Sequence, residues 1–208
     1  MNTARSTRSN RERILDAAET LFGSRGYADV KISEVCRASG FPVGSIYHHF
    51  TNKAGLLKAV LERGTAEFFD TLPAVDDLAS DPLECLGVYY DAAGSAIESR
   101  LPLFRLMCLL QLQQDRSGEL AEILAENLQR SVDRLVAVIE PVARRCGVVN
   151  PRRCANELAG LSVAFTAGLV VAAGGRRQPS IRMGMDQLRR MILMTVRERA
   201  DARSAVSH

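Results

Sequence analysis

The 208-residue sequence has no tryptophan, only 5% aromatic residues and three histidines, two of them adjacent as His48 and His49. Its five cysteines (Cys36, Cys85, Cys108, Cys146, Cys154) form no CxxC pair. Zinc-ligand spacing is therefore missing, and neither a metal nor a cofactor is expected. No Ser/His/Asp set, paired-carboxylate motif, P-loop or GxGxxG is present, which argues against an enzyme. Scattered cysteines in odd number do not make a disulfide framework; free thiols in a reducing cytoplasm are the expectation. A redox-sensing role for one of them stays open beside the commoner fate of a small buried hydrophobe. The opening stretch, MNTARSTRSNRER, is basic but has no apolar run behind it, so it does not read as a signal peptide. Strand-like alternation and internal repeats are also missing.

What is present is ordinary globular composition: 47% hydrophobic and 25% charged residues, enough for one or two domains with a real core. The formal charge of +3 is unevenly spread. Residues 1–60 are net basic and the remainder slightly acidic, as in a small polyanion-binding module on a nearly neutral body; chance is the alternative.

The periodicity predicts an all-α chain of about nine helices. The first runs over about Asn10–Ser24, opened by a Ser9/Glu12 capping box and carrying Ile14, Leu15, Ala18, Leu21 and Phe22 on one stripe. Gly26 is suited to a left-handed cap. A second short helix covers about Ile32–Ser39. A third, about Val43–Phe50, is two turns long, with Ile46 and Phe50 facing inward. A fourth begins near Lys53 and runs to Pro73. An acidic connector, Leu72 to Pro82, follows. Further helices are expected at about Leu83–Ser99, Leu103–Gln114, Gly118–Cys146, Pro151–Gly174 and Ser180–Ala202, with Asn150 as N-cap of the Pro151 helix.

Three short helices with a glycine-bearing turn between the second and third match the helix-turn-helix pattern. The outward residues of the third are Val43, Gly44, Ser45, Tyr47, His48 and His49. Ser45 suits a base or a phosphate, Val43 and the open Gly44 a thymine methyl, and Tyr47 and His49 phosphate oxygens. Lys53 adds a cation at the start of the next helix. Tyr47 packed in the small core is the alternative. A His48/His49 metal pair is disfavoured, since adjacent helical residues point about 100° apart.

At these residues the chain resembles the TetR family of transcriptional regulators. Gly44-Ser45-Ile46-Tyr47-His48-His49-Phe50-Thr51-Asn52-Lys53-Ala54-Gly55-Leu56-Leu57 is similar to the family's G-[ST]-[LI]-Y-x-[HY]-F-x-[SN]-K-x-x-L-L signature. Arg13-Ile14-Leu15-Asp16-Ala17-Ala18, Leu21-Phe22 and Gly26-Tyr27 resemble its opening helix. The likeness covers about residues 9–62. It implies a DNA-binding domain over 1–53, with the helix-turn-helix at about 31–50, and an effector-binding and dimerisation domain over 54–208. It also implies that Val43, Gly44, Ser45 and His48 face bases while Lys31, Tyr47, His49 and Lys53 hold the DNA backbone. Two departures stand out. Lys31 replaces a threonine that caps the second helix, loosening that start. Pro42 and Val43 replace a Ser/Thr and a basic residue, shifting readout toward apolar contact.

The resemblance further implies a homodimer on a palindromic operator. Gly160, Ala164, Gly168 and Ala172 repeat every four residues, and Ile181, Met185, Leu188, Met191, Ile192 and Met194 make an amphipathic face. A four-helix bundle across a two-fold axis would use both, with Gly160, Ala164, Gly168, Leu188 and Met191 at the interface, unless the stripe is intramolecular core. The family's middle region lines an effector pocket, which here implies Tyr89, Tyr90, Phe104, Met107, Cys108, Gln111, Leu128 and Phe165, with Gln113 a further polar candidate. The small charge content of that set favours a lipophilic small-molecule effector. The expected function is a one-component repressor, an activator being the alternative. Leu158–Gly175, 18 residues without a charge, sits at the lower limit for a bilayer span. A helix buried all round is the preferred reading and no membrane partner is expected, although a membrane-associated adaptor remains the competing class.

Overall fold

The computed structural model describes residues 9–74, 81–112, 118–173 and 180–206, and among these all regular structure is helical. The helices are α1 (Asn10–Arg25), α2 (Ile32–Ser39), α3 (Val43–Phe50), α4 (Lys53–Thr71), α5 (Pro82–Ser99), α6 (Leu101–Leu112), α7 (Glu119–Arg145), α8 (Pro151–Ala172) and α9 (Ile181–Val206). The all-α expectation holds. Gln113 and Gln114 and most of the acidic connector lie outside the described residues.

Local chemistry explains most of the helix ends. Ser9 and Glu12 form the reciprocal capping box, the Ser9 N–H donating to Glu12 Oε2 at 2.9 Å and the Glu12 N–H to Ser9 Oγ at 3.2 Å. Asp81 accepts from the Leu83 N–H at 3.0 Å, with Pro82 at the first helical position of α5. Two expectations are corrected. Gly26 has positive φ but ψ of 153°, so it leaves α1 in an extended conformation open to glycine and not through a left-handed cap. Asn150 makes no side-chain cap at φ −120°, ψ 75°; Pro151 alone marks that start.

The chain divides into two compact units. The first comprises residues 1–66 and 102–123, the second 67–101 and 124–208. In the first unit, Ile14, Leu15, Ala18 and Phe22 of α1 are buried with Val35, Ile46, Phe50, Leu56, Leu57 and Val60. Helix α6 belongs to the same unit, and two mid-helix glycines admit it. A Cβ on Gly23 would stand 2.2 Å from the Pro102 carbonyl oxygen, and one on Gly64 would stand 2.7 Å from the Leu103 methyls. Arg63 of α4 ties α1 by donating to Asp16 Oδ1 at 2.7 Å and Glu19 Oε2 at 2.9 Å.

In the second unit α9 lies along α5 and against α8. Ile181, Met185, Leu188, Ile192 and Val196 of α9 turn inward at helical spacing. Gly94 meets Met185 and the Arg182 backbone, and a Cβ on Gly184 would clash with Leu169 at 2.5 Å. Tyr90 is fully buried, its hydroxyl 3.0 Å from Ser162 Oγ. Glu140 bridges α7 and α8, accepting from Arg144 at 2.7 Å and Arg152 at 3.0 Å. Helix α8 is the one described helix long and apolar enough to cross a membrane. It is not buried all round, which corrects that reading. Gly160, Leu161, Ala164, Gly168 and Val171 form an uncovered face, with Leu161 63% and Val171 66% exposed, because α5 and α9 cover only its other side.

Two outcomes follow from this packing. Gly23→Ala should cost about 1–3 kcal/mol, since the new methyl meets backbone that cannot swing away. Gly87→Ala, where a Cβ meets nothing within 4 Å, should be neutral or stabilising; urea unfolding of both checks this. The Arg152 guanidinium, and after it that of Arg144, holds the Glu140 carboxyl below the usual carboxylate range. Its stabilisation is thus complete above the unfolded-state value and is lost as pH falls through the lower folded value. Glu140→Gln should flatten the acid limb of a Tm-against-pH curve.

Candidate nucleic-acid interface

Helix α3 is eight residues long, too short to persist by itself in water. It is held by Ile46 and Phe50, i and i+4 on one face, both buried. The guanidinium of Arg11 lies over the Phe50 ring at 5.4 Å from its centroid. Everything else on the helix turns outward. Val43, Gly44, Tyr47, His48 and His49 are exposed and Ser45 is half-buried. Tyr47 is 47% and Val43 51% exposed, so Tyr47 does not join the core. The His48 and His49 rings meet edge-on, their centroids 5.3 Å apart at an interplanar angle of 67°, and no His/Cys/Asp/Glu cluster suited to a metal occurs among the described residues.

The turn before α3 is built by Gly40, which is left-handed at φ 79°, ψ 16° and donates its N–H to the Cys36 carbonyl at 2.9 Å. Arg13 of α1 reaches across, its guanidinium 4.8 Å from the Phe41 ring centroid and one nitrogen 3.4 Å from the Ser39 carbonyl. Lys31 precedes α2 and is exposed. Its side chain makes no cap, as the sequence leads one to expect, but Glu34 restores half of a capping box by accepting the Lys31 N–H at 2.8 Å. Arg25 clamps the same carboxylate at 2.6 Å. The backbone N–H of Lys31, and then Arg25, hold the Glu34 carboxyl below its usual range. The α2 start is therefore tied by a charge-assisted pair in place of a hydroxyl cap.

Lys53 makes contacts that its sequence position did not disclose. Its Nζ lies 4.3 Å from the Tyr27 ring centroid and 3.3 Å from the Ala28 carbonyl oxygen. It joins the start of α4 to the turn after α1 while remaining half-exposed. The structure thus brings Lys31, Val43, Gly44, Ser45, Tyr47, His48, His49 and Lys53 into one module. Sequence reasoning missed Arg63 and the seats at Gly23 and Gly64. The signal for the seats was glycine inside an otherwise strong helical pattern.

The remaining sequence candidates divide between the units. Phe104, Met107, Cys108 and Gln111 belong to the first and are half-buried; Tyr89, Tyr90, Leu128 and Phe165 belong to the second. Tyr89 and Tyr90 are core residues, with burial pushing the Tyr89 hydroxyl up to about 12. Leu128 is exposed. Of the residues expected at a subunit interface, Gly160, Ala164, Gly168 and Met191 are exposed. Leu188 is only 4% exposed, packed inside its own chain because it follows Met185 by three residues on the inward stripe of α9.

Two short helices joined at a glycine turn, the second buried on one face and exposed on the other, define a helix-turn-helix module. Residues 14–60 match the family model for bacterial regulatory proteins, tetR family. Over this module the chain is similar to the TetR family, and its helical fold is shared by its structural neighbours. It is 33% identical over 92 residues to the HTH-type transcriptional repressor KstR2 of Mycolicibacterium smegmatis, covering 44% of this chain and 45% of the relative. It is 34% identical over 86 residues to the HTH-type transcriptional regulator TtgR of Pseudomonas putida, covering 40% of each. The matches thus span less than half the length of these curated relatives. Two solved structures share the fold over nearly the whole chain. The ketosteroid regulator KstR2 of Mycobacterium tuberculosis matches with TM-score 0.69 at 19% identity, covering 93% of this chain and 98% of that one. The fatty acid degradation regulator FadR of Bacillus halodurans matches with TM-score 0.70 at 19% identity, covering 88% and 97%. These proteins are regulators.

Lys53→Met keeps an apolar stem but removes the cation from the Tyr27 face. It should lower the unfolding free energy by about 0.5–1 kcal/mol, measured by chemical denaturation.

Proposed function

We propose that this chain is a one-component transcriptional repressor that binds a palindromic DNA operator as a homodimer and leaves it when a small lipophilic effector binds. The observation that carries the reading is the outward face of α3: six small, aromatic or imidazole side chains on a helix whose other face is spent on anchoring it. Val43, Gly44, Ser45 and His48 face base edges in this reading; Lys31, Tyr47, His49 and Lys53 hold phosphates. Residues 1–53 are the reading domain and 54–208 the effector-binding and dimerisation domain, working in the cytoplasm.

A dimer is favoured by the uncovered α8 face, where Gly160, Ala164 and Gly168 are flanked by Leu161 and Val171, and by exposed Met191 and Met194 on α9. Small residues at four-residue spacing let two helix backbones approach closely, and the flanking apolar side chains gain from burial. One two-turn reader buries too little DNA for specificity, whereas two half-sites a helical turn apart supply it. The effector reading draws support from the apolar make-up of the body and from relatives named for ketosteroid and fatty acid degradation regulation. Release requires that the effector bind the DNA-free arrangement more tightly than the DNA-bound one.

Selection from a random duplex library with protein refolded free of ligand tests the reading. A palindrome with two half-sites and a dimer by light scattering are expected; no enrichment would overturn it. On the recovered site Tyr47→Ala should weaken all sequences alike. Lys53→Ala should do the same and reduce the slope of log affinity against log salt by about one unit.

A further inference from the structure

The junction between α3 and α4 is built around one unusual residue and one glycine. Thr51, at φ 61° and ψ −51°, is the only non-glycine residue with positive φ among the described residues. The Asn52 N–H donates to the Phe50 carbonyl at 2.5 Å, closing a γ-turn of the rarer, strained hand. The Thr51 N–H stays on the Tyr47 carbonyl at 3.1 Å, so the turn begins while the chain is still attached to the last turn of α3. Asn52 then starts α4, its Oδ1 accepting the Gly55 N–H at 2.7 Å and its carbonyl accepting the Leu56 N–H at 3.1 Å. The carbonyl that closes the γ-turn lies where a side chain at position 55 would begin: a Cβ there would stand 2.3 Å from Phe50 O. No rotamer change relieves that contact, because the obstructing atom is backbone.

Both sides of this junction are anchored in the core, Phe50 on one and Leu56 and Leu57 on the other. The direction in which α3 leaves α4 is therefore set by how closely the Phe50 carbonyl approaches the Gly55 Cα. The family signature leaves position 55 open, so a side chain there is compatible with the motif but not with this turn. We infer that Gly55 and Thr51 are positioning residues for DNA reading: without touching DNA, they fix the angle of the recognition helix and hence which base edges Val43, Ser45 and His48 meet. The inference rests on the DNA-reading function proposed above.

The test uses the full chain and the operator recovered with the wild-type protein. Affinities are measured for that operator, for single-base variants of each half-site and for an unrelated duplex. Gly55→Ala should cut discrimination between the operator and its variants at least tenfold, while affinity for the unrelated duplex stays within about twofold, since the phosphate-contacting cations are unchanged. Thr51→Pro adds no atom at position 55 but forces φ to about −65° and removes the N–H held by the Tyr47 carbonyl, and should produce the same loss. Thr51→Gly added to Gly55→Ala should recover part of the discrimination, because glycine opens other backbone routes around the new methyl. Circular dichroism on each variant reports helix content; should one variant unfold, the other carries the comparison. Undiminished discrimination in a folded variant overturns the inference alone. Failure of the wild type to select any site overturns the DNA-reading function and the inference with it.

Discussion

The burial of Ile46 and Phe50 is the contact on which the reading module depends. An eight-residue helix cannot meet the entropic cost of its own backbone order, so α3 persists only because two side chains, one turn apart, are held in a core made by α1, α2 and α4. That arrangement also decides what is left for function. With one face committed to anchoring, the other leaves Val43, Tyr47, His48 and His49 exposed, the residues to which the proposed function assigns DNA contacts.

Around this anchor the module is tied by contacts of different strength. The Arg63 bridge to Asp16 and Glu19 is partly shielded from solvent, so its charges are screened less than those of a surface pair. Arg25 and Glu34 are more exposed, and their worth lies in fixing the start of α2 where a hydroxyl cap is missing. Lys53 shows one side chain serving two ends, holding Tyr27 and the Ala28 carbonyl while its charge remains near the outer surface. A lysine suits that place because its apolar stem lies along an aromatic face while the ammonium stays hydrated.

The second unit follows a different logic. Its core is closed by α9 laid along α5, with Gly94 and Gly184 allowing close approach, and one side of α8 is left uncovered. A chain that displays Leu161 and Val171 beside three small residues leaves apolar area in water that a second surface would remove from it. The apolar composition of α8 is also what makes it long and apolar enough to cross a membrane.

The sequence by itself determined the helical class, the Ser9/Glu12 cap, the inward pair on α3 and the outward residues beside them. Each of these is written in spacing over four to eight residues, and local spacing is enough to set a helical face. The tertiary structure alone decided that Leu188 faces its own core, that Lys53 clamps Tyr27, that α6 is seated on Gly23 and Gly64, and that Gly55 accommodates the Phe50 carbonyl. These depend on which distant atoms come within a few ångströms, and a glycine looks the same in sequence whether it faces solvent, as at position 44, or another backbone, as at position 55.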